Sequence, residues 1–137
     1  MKRDWDLIRK QLTAVEEEND LFSDIPPKPK WQDQDWETYE KQSKEYQTIK
    51  GRICEHLELL IDAGYVEGVQ IIRSVDGQFS YGIHSPRLTM AGHDLLDTMK
   101  STTIWEKIKT TAKTKGIELT FDAIKALGAL ALKSAFE

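Results

Sequence analysis

The spacing of apolar residues changes between residues 46 and 97, and this change predicts a helix, a β-hairpin and a second helix. Up to Leu60, apolar side chains recur every three or four positions, as one face of an α-helix requires. Gly64 follows at the place where a left-handed residue can end the helix. The positions that carry this pattern are Tyr46, Ile49, Ile53, Leu57 and Leu60.

After Gly64 the chain becomes rich in β-branched residues, which favour extended strands. Residues 66–72 predict the first strand of a hairpin, and Phe79 and Ile83 mark the returning strand. The Asp-Gly dipeptide at 76–77 lies between them and suits the positive φ angles of a tight hairpin turn. Pro86 lacks an amide donor, so the second strand is predicted to end there.

The remaining apolar patterns are helical. Thr89 is predicted to cap the helix that follows the hairpin, and a first helix is predicted to begin at Arg3 or Asp4. A short helix is predicted from Gln34 to Gln42, and Gly116 is predicted to separate two C-terminal helices. The apolar positions of these helices include Trp5, Ile8, Leu12, Val15, Trp36, Tyr39, Leu95, Leu96, Met99, Ile104, Trp105, Ile108, Ala112, Phe121, Ile124, Leu127, Leu130 and Ala131.

Together these elements predict an α+β, mostly helical fold: a winged-helix-like domain with a two-stranded β-hairpin wing and two extra C-terminal helices. Residues 1–97 would form this domain, with residues 20–45 as an insertion that contains prolines and tryptophans. The short helix at 34–42 would be the second helix of its core. Residues 98–137 would form a helical pair that packs on the domain or forms a dimer interface, because the last helix is apolar around more than half of its circumference.

Four segments of the chain resemble domain of unknown function family 2513, whose members are small, winged-helix-like proteins found mostly in bacteria, phages and prophages. The segments are MKRDWDLIRKQL, HLELLIDAGYVEG, RLTMAGHDLLD and TIWEKIKTTAKTKGIELTFDAIKAL. The resemblance spans nearly the whole chain except residues 20–45. It implies the fold and a bacterial or phage origin, and it transfers no catalytic residues because no activity is established for the family.

Composition limits the class of protein. Charged residues make up 31% of the chain and hydrophobic residues 39%, a balance typical of a folded protein. The single cysteine, Cys54, lies within a predicted helix, so we expect a reduced thiol and a cytoplasmic protein. Charged side chains interrupt both the N-terminus and the apolar C-terminal stretch, and neither a secretory signal nor a membrane-spanning helix is expected.

No pattern of residues in the sequence indicates catalysis. Cys54 and His56 are two positions apart on one helix and would point to different sides, and His84 and His93 have no evident partner at metal-ligand spacing. The sequence contains no glycine-rich phosphate loop, nucleophile elbow or HExxH motif. We therefore expect a protein that is not an enzyme and that binds no metal or cofactor.

The first functional hypothesis is DNA binding by a transcription regulator. In winged-helix proteins the helix before the wing enters the major groove, and the wing contacts the backbone or minor groove. Residues 98–137 hold seven basic and four acidic side chains, whereas residues 1–97 hold twelve and nineteen. Glu55, Glu58 and Asp62 on the predicted recognition helix oppose phosphate binding. The residues predicted to contact duplex DNA are Gln47, Lys50, Arg52, Arg73, Lys107, Lys109 and Lys113.

The alternative hypothesis is a protein-protein interaction module on a winged-helix scaffold that does not bind DNA. An acidic helix face, an arm with prolines and tryptophans, and a very apolar last helix suit this role, which includes a homodimer through the C-terminal helices. A continuous positive strip that joins Arg52 and Arg73 to the lysines at 107–115 would favour DNA instead. The residues predicted to bind a partner are Trp31, Trp36, Phe121, Leu127 and Phe136.

Overall fold

The computed structural model describes residues 2–32 and 34–135, which form five helices and one two-stranded antiparallel sheet. The predicted α+β, mostly helical class, with a hairpin and two C-terminal helices, is confirmed. The winged-helix arrangement stays a prediction. In chain order the elements are α1 (Trp5–Glu16), α2 (Trp36–Asp62), β1 (Val66–Arg73), β2 (Phe79–Leu88), α3 (Met90–Lys100), α4 (Thr102–Lys115) and α5 (Phe121–Ala135).

The caps of α2 and α3 agree with the residues predicted from the sequence, whereas α1 begins at Trp5, just after the predicted Arg3 or Asp4. Asp4 precedes α1 and its carboxylate accepts a hydrogen bond from the Leu7 amide at 3.1 Å. The Thr89 hydroxyl accepts one from the Gly92 amide, also at 3.1 Å, at the start of α3. Gly64 follows α2 with φ of +80°, and the Tyr65 amide donates back to the Leu60 carbonyl at 2.9 Å. This glycine therefore ends α2 in the left-handed cap that the sequence predicted.

The separate short helix predicted from Gln34 to Gln42 is wrong. Those residues belong to α2, which runs without interruption for 27 residues, or about 40 Å at the α-helical rise. No glycine or proline lies between Trp36 and Lys50, so nothing stops the helix from propagating. The second helix expected in a winged-helix core is thus the beginning of the helix that leads into the hairpin.

The hairpin pairs Arg73 with Phe79 across a loop in which Gly77 has φ of +84°. The prediction that Pro86 ends the second strand is wrong, because β2 continues to Leu88. The pairing is irregular next to Gly68, where three residues of β2, at 84–86, lie opposite one residue of β1. Pro86 lies in this irregular part, where its missing amide costs no regular ladder hydrogen bond.

One hydrophobic core joins all five helices and the hairpin. The largest buried side chain is Trp105 of α4, which is fully inaccessible to solvent. Helices α4 and α5 pack on each other and on α3, so the C-terminal helical pair contributes to the same core as residues 5–97. Other fully buried members of this core are Ile8, Leu12, Leu57, Leu60, Leu95, Leu96, Met99 and Ile124.

Candidate functional site

A groove of about 920 Å³ lies between the start of α1, the middle of α2, the tip of the hairpin and α4. It is called the N-terminal groove below. Gln47, Arg52 and Lys109, which the sequence predicted to contact DNA, all line it. Lys2 and Arg3, which the prediction missed, add two more cations. The fold thus brings together polar side chains from three separate parts of the chain.

Carboxylates in or beside the groove pair with two of its cations. Arg52 forms an ion pair with Asp4. Lys109 lies 3.2 Å from Asp6 and 3.0 Å from Glu106. Hydrogen bonding from the Trp105 indole, followed by contact with Lys109, lowers the pKa of Asp6, so that its negative charge persists beside the lysine. The predicted cations are therefore present in the groove, but they already have acidic partners.

His56 fixes the position of Asp4 at one side of the groove. Its ring is 1% exposed, and Nε2 accepts a hydrogen bond from the Asp4 backbone amide at 2.8 Å. Because Nε2 acts as an acceptor, the ring proton lies on Nδ1, which donates to the Arg52 carbonyl at 2.7 Å. The buried imidazole thus links the beginning of α1 to α2, next to the ion pair between Asp4 and Arg52.

The other residues predicted to contact DNA lie outside the N-terminal groove. Arg73 makes a two-pronged ion pair with Glu58 of α2, with nitrogen–oxygen distances of 2.6–3.1 Å, and this bonding raises its pKa. Lys50 lies over the rings of Tyr46 and Tyr81. Lys107 Nζ is 3.5 Å from the Ser134 hydroxyl oxygen, and Lys113 is exposed on α4. Of these four side chains, Arg73 has a carboxylate partner among the described residues.

A second surface is formed by the beginning of α2, in the part of this helix that projects from the core, and by the segment before it. Trp31 and Trp36 are 55% and 59% exposed, and their ring centroids are 5.4 Å apart. Tyr39 lies 5.5 Å from Trp31 and 5.9 Å from Trp36. The three rings form one cluster, which is called the aromatic surface below. Mutual contact between aromatic rings at oblique angles is favourable, and much of the cluster faces solvent.

The segment before α2 runs back along this projecting part of the helix. Pro26, Pro27 and Pro29 line a cleft of about 360 Å³ with Gln42 and Tyr46. These prolines lie near the middle of α2, whereas Trp31 lies beside the rings near its beginning. The segment therefore shields one side of the helix and leaves the two indole rings exposed.

The aromatic surface continues the core-facing positions of α2. Side chains spaced alternately three and four residues apart share one side of a helix, as at the a and d positions of a heptad. In residues 53–60 these positions are buried, whereas in residues 36–50 none is buried. The full set is Trp36, Tyr39, Ser43, Tyr46, Lys50, Ile53, Leu57 and Leu60. This spacing was the sequence signal that could have added Tyr39 to the predicted partner-binding residues.

The C-terminal residues predicted to bind a partner pack within the chain where the structure describes them. Leu127 is 8% exposed and belongs to the core. Phe121 packs against Trp5 and Tyr65, with ring centroids 5.1 and 4.7 Å apart. Phe136 lies outside the described residues. The outer side of α5 still exposes Leu130 and Leu132, which are 60% and 44% accessible.

Neither a membrane-spanning helix nor a metal-binding cluster is present in the described residues. No helix within 2–32 and 34–135 has the length and apolar character needed to cross a membrane. No group of three or more histidine, cysteine, aspartate or glutamate side chains in the same residues is arranged to hold a metal ion. Burial raises the pKa of the Cys54 thiol to about 11, which keeps it protonated and poorly nucleophilic at neutral pH.

The fold and its two surfaces define a small α+β protein with a five-helix core, a β-hairpin and a long helix whose first half projects. The chain belongs to the family described as "Hypothetical protein (DUF2513)", whose model matches residues 2–118. The matched region includes residues 20–45 and stops before α5. An uncharacterised protein of Haemophilus influenzae is 30% identical over 125 residues, which cover 91% of this chain and 90% of that protein. No solved structure matches the chain.

Proposed function

We propose that this protein is a protein-protein interaction module of the bacterial or phage cytoplasm, and that its binding site is the aromatic surface. The carrying observation is that two tryptophans, Trp36 at the start of α2 and Trp31 in the segment before it, contact each other and remain more than half exposed. Tryptophan and tyrosine are the residues most enriched at binding hot spots, because each buries a large area for little loss of conformational entropy. A cluster of three contacting rings therefore suits the centre of a protein interface.

Several side chains that were predicted to contact DNA are already paired with carboxylates, and this favours a protein over DNA as the partner. Non-specific DNA affinity comes from lysine and arginine side chains that replace the counterions of phosphates. Arg52, Arg73 and Lys109 already contact carboxylates, so DNA would have to displace these carboxylates first. Glu55 lines the N-terminal groove as well, and it would repel a phosphate. The aromatic surface requires no such exchange of partners.

Affinity capture from a host lysate tests this function. Tagged wild-type protein is compared with a Trp31→Ala, Trp36→Ala variant and with a Val75→Ala, Met90→Ala control. The control removes two apolar side chains that are more exposed still but belong to no cluster. We expect the wild type and the control to retain the same proteins, a second tagged copy of this chain included, and the tryptophan variant to lose them. Identical capture by all three proteins would overturn the proposal.

DNA binding by a winged-helix-type transcription regulator is the second candidate, and the N-terminal groove favours it. The groove gathers three predicted DNA-contacting residues, together with Lys2 and Arg3, beside the hairpin tip. A helix followed by a hairpin is also the order found at the wing of a winged-helix protein. Phosphates would compete with Asp4 and Asp6 for the same cations, so this candidate predicts an affinity that falls steeply with salt.

Fluorescence anisotropy with random and native duplex DNA at two salt concentrations tests the second candidate. The informative variant is Arg52→Glu, Lys109→Glu, and the matched control is Lys10→Glu, Arg87→Glu, whose cations form exposed ion pairs outside the groove. Binding that is lost in the groove variant and kept in the control would support DNA recognition. The absence of binding by the wild type at low salt would overturn it.

A further inference from the structure

Gln11 of α1 is a buried polar side chain with one group left unpaired. The residue is 3% exposed, and its Nε2 donates a hydrogen bond to the Ile53 carbonyl oxygen of α2 at 3.1 Å. Its Oε1 is buried and has no hydrogen-bond partner among the described protein atoms. Turning the amide over would place Oε1 against the Ile53 oxygen, which is also an acceptor. The buried oxygen therefore needs a hydrogen-bond donor that the described residues do not supply.

Two side chains near Gln11 carry donors, but both are bonded elsewhere. The Lys10 ammonium pairs with Asp24, and both side chains are exposed. The Ser23 hydroxyl lies 3.4 Å from the Asp20 carbonyl oxygen. Buried polar groups in proteins are paired in the large majority of cases, either with protein or with ordered water. Water is thus the next donor to consider.

A cavity of about 30 Å³ lies beside Gln11, between α1, α2 and the turn that follows α1. Ile53, whose carbonyl oxygen accepts from the Gln11 amide, lines the same cavity, so the amide end of Gln11 lies at this cavity. Leu7 and Leu21 form part of its apolar wall. Its other polar lining residues are Lys10, Asp20, Ser23 and Asp24.

The size and lining of this cavity select its occupant. One water molecule takes up about 30 Å³ in the liquid, and a buried water needs two to four polar partners. Gln11 Oε1 would accept one of its hydrogens, and the turn offers further oxygens. A metal cation is disfavoured, because calcium and magnesium require about six oxygen ligands and Lys10 brings a positive charge to the same cavity. An apolar molecule would leave Oε1 unpaired.

We propose that the cavity beside Gln11 binds one ordered water molecule, which donates a hydrogen bond to Gln11 Oε1 and connects α1 to the turn at residues 20–24. This turn already has an apolar anchor, because Leu21 and Phe22 are buried in the core. The water would add a polar link to it. The inference goes beyond the proposed function, since no residue of this cavity belongs to the aromatic surface or to the N-terminal groove.

Water-selective NMR on the whole chain tests the proposal. A water that tumbles with the protein gives NOE and ROE cross-peaks of opposite sign to nearby carbon-bound protons, whereas surface water does not. We expect such cross-peaks at the side chains of Gln11, Leu7 and Leu21. A wild-type protein without them has no ordered water at this cavity, and the proposal is overturned.

Three variants show whether Gln11 holds the water. Gln11→Met keeps a side chain of similar size without the amide oxygen, and it should lose the cross-peaks at Leu7 and Leu21. Asn19→Ala changes the same turn outside the cavity and should keep them. Lys10→Met, Ser23→Ala removes lining protons that exchange with solvent and imitate bound water, and it should keep them too. Cross-peaks that survive in Gln11→Met, or that vanish in the Lys10 and Ser23 variant, overturn the proposal.

Hydrogen exchange tests the link to the turn. The Phe22 amide donates to the Asp20 carboxylate at 2.9 Å, and the Ile25 amide donates to the Phe22 carbonyl at 3.1 Å. In Gln11→Met both amides should exchange about 5-fold faster, the factor that corresponds to loss of one ordinary hydrogen bond. Asn19→Ala is the matched control and should exchange more slowly than Gln11→Met at both amides. Unchanged exchange in Gln11→Met would overturn the connection between the water and the turn.

Discussion

The two halves of α2 share one heptad spacing but have different surroundings. Residues 49–62, the packed half, bury Ile53, Leu57 and Leu60 against the core. Residues 36–48, the projecting half, continue the same heptad spacing but contain no buried residue. Cations near the packed half, such as Arg52 and Arg73, contact carboxylates of this chain, whereas Lys41 and Lys44 of the projecting half do not in the described structure.

The difference shows that helical periodicity identifies which side of a helix is apolar, but not what covers that side. The packed half is covered by the hairpin and by α1. The projecting half is covered in part by the proline-containing segment before it, and its tryptophans remain exposed. We therefore expect substitutions in the packed half to affect folding, and substitutions in the projecting half to affect the binding of a protein partner.

Leu57→Ala should have the largest effect on stability. Leu57 is fully buried, and a buried leucine replaced by alanine typically lowers the free energy of unfolding by about 2–5 kcal/mol, through lost transfer energy and the cavity that remains. Trp36→Ala in the projecting half should change it by less than about 0.5 kcal/mol, as expected for a surface position. Urea unfolding of both variants measures the contrast. Equal destabilisation would mean that the projecting half is part of the cooperative core.

Gly92→Ala should have the next largest effect, because it disturbs the junction between α3 and the hairpin. An added Cβ would collide with the Tyr65 carbonyl oxygen and lie 3.3 Å from the Leu88 side chain. We expect a loss of about 1–3 kcal/mol, the usual cost of overpacking. Thermal unfolding detects it. A variant as stable as the wild type would show that α3 can move away from the hairpin without cost.

Gly51→Ala should act in the opposite direction, at the point where the two halves of α2 meet. An added Cβ would lie 3.6 Å from the Phe79 ring, an ordinary van der Waals contact. Replacing glycine by alanine within a helix should increase stability by up to about 1 kcal/mol. Circular dichroism during urea unfolding measures the change. A destabilised variant would indicate that the helix needs the flexibility of glycine where its packed half begins.

Acidification should produce the smallest of these effects on stability, through protonation of Asp6 at the N-terminal groove. Hydrogen bonding from Trp105, then from Lys109, lowers the pKa of Asp6 below its ordinary value of 3.8 in the folded state. A carboxyl group with a lowered folded-state pKa stabilises the protein above the unfolded pKa, and this contribution is lost as the pH falls through the folded value. We expect Asp6→Asn to lower stability by less than about 1 kcal/mol at neutral pH, since the carboxylate is largely exposed.

The pH dependence provides the check on this prediction. Melting temperatures measured from neutral pH down to about pH 2 should converge for the wild type and Asp6→Asn below about pH 4, where the carboxylate is progressively protonated. A constant difference between wild type and Asp6→Asn at every pH would contradict the proposed role of the Asp6 charge.

The local features of the fold were predictable because their causes are local. Gly64 permits a left-handed cap at the end of α2, and Gly77 supplies the positive φ of the hairpin loop. The Thr89 hydroxyl accepts a hydrogen bond from an amide in the first turn of α3. Each depends on a residue and its immediate neighbours. The spacing of apolar residues, which changes between helical and extended, likewise predicted α1, the hairpin and the last three helices. It also predicted the α+β class.

The candidate sites depended on contacts between residues far apart in the chain. Asp4 and Arg52 are separated by 48 residues, and Asp6 and Lys109 by 103. Nothing in the local sequence of Arg52 shows that a carboxylate neutralises it, so the sequence overestimated the cations available to DNA. Conversely, the aromatic residues of the projecting half share their spacing with core residues. Only the tertiary structure decided which of them were covered, because burial depends on what the rest of the chain places against a helix.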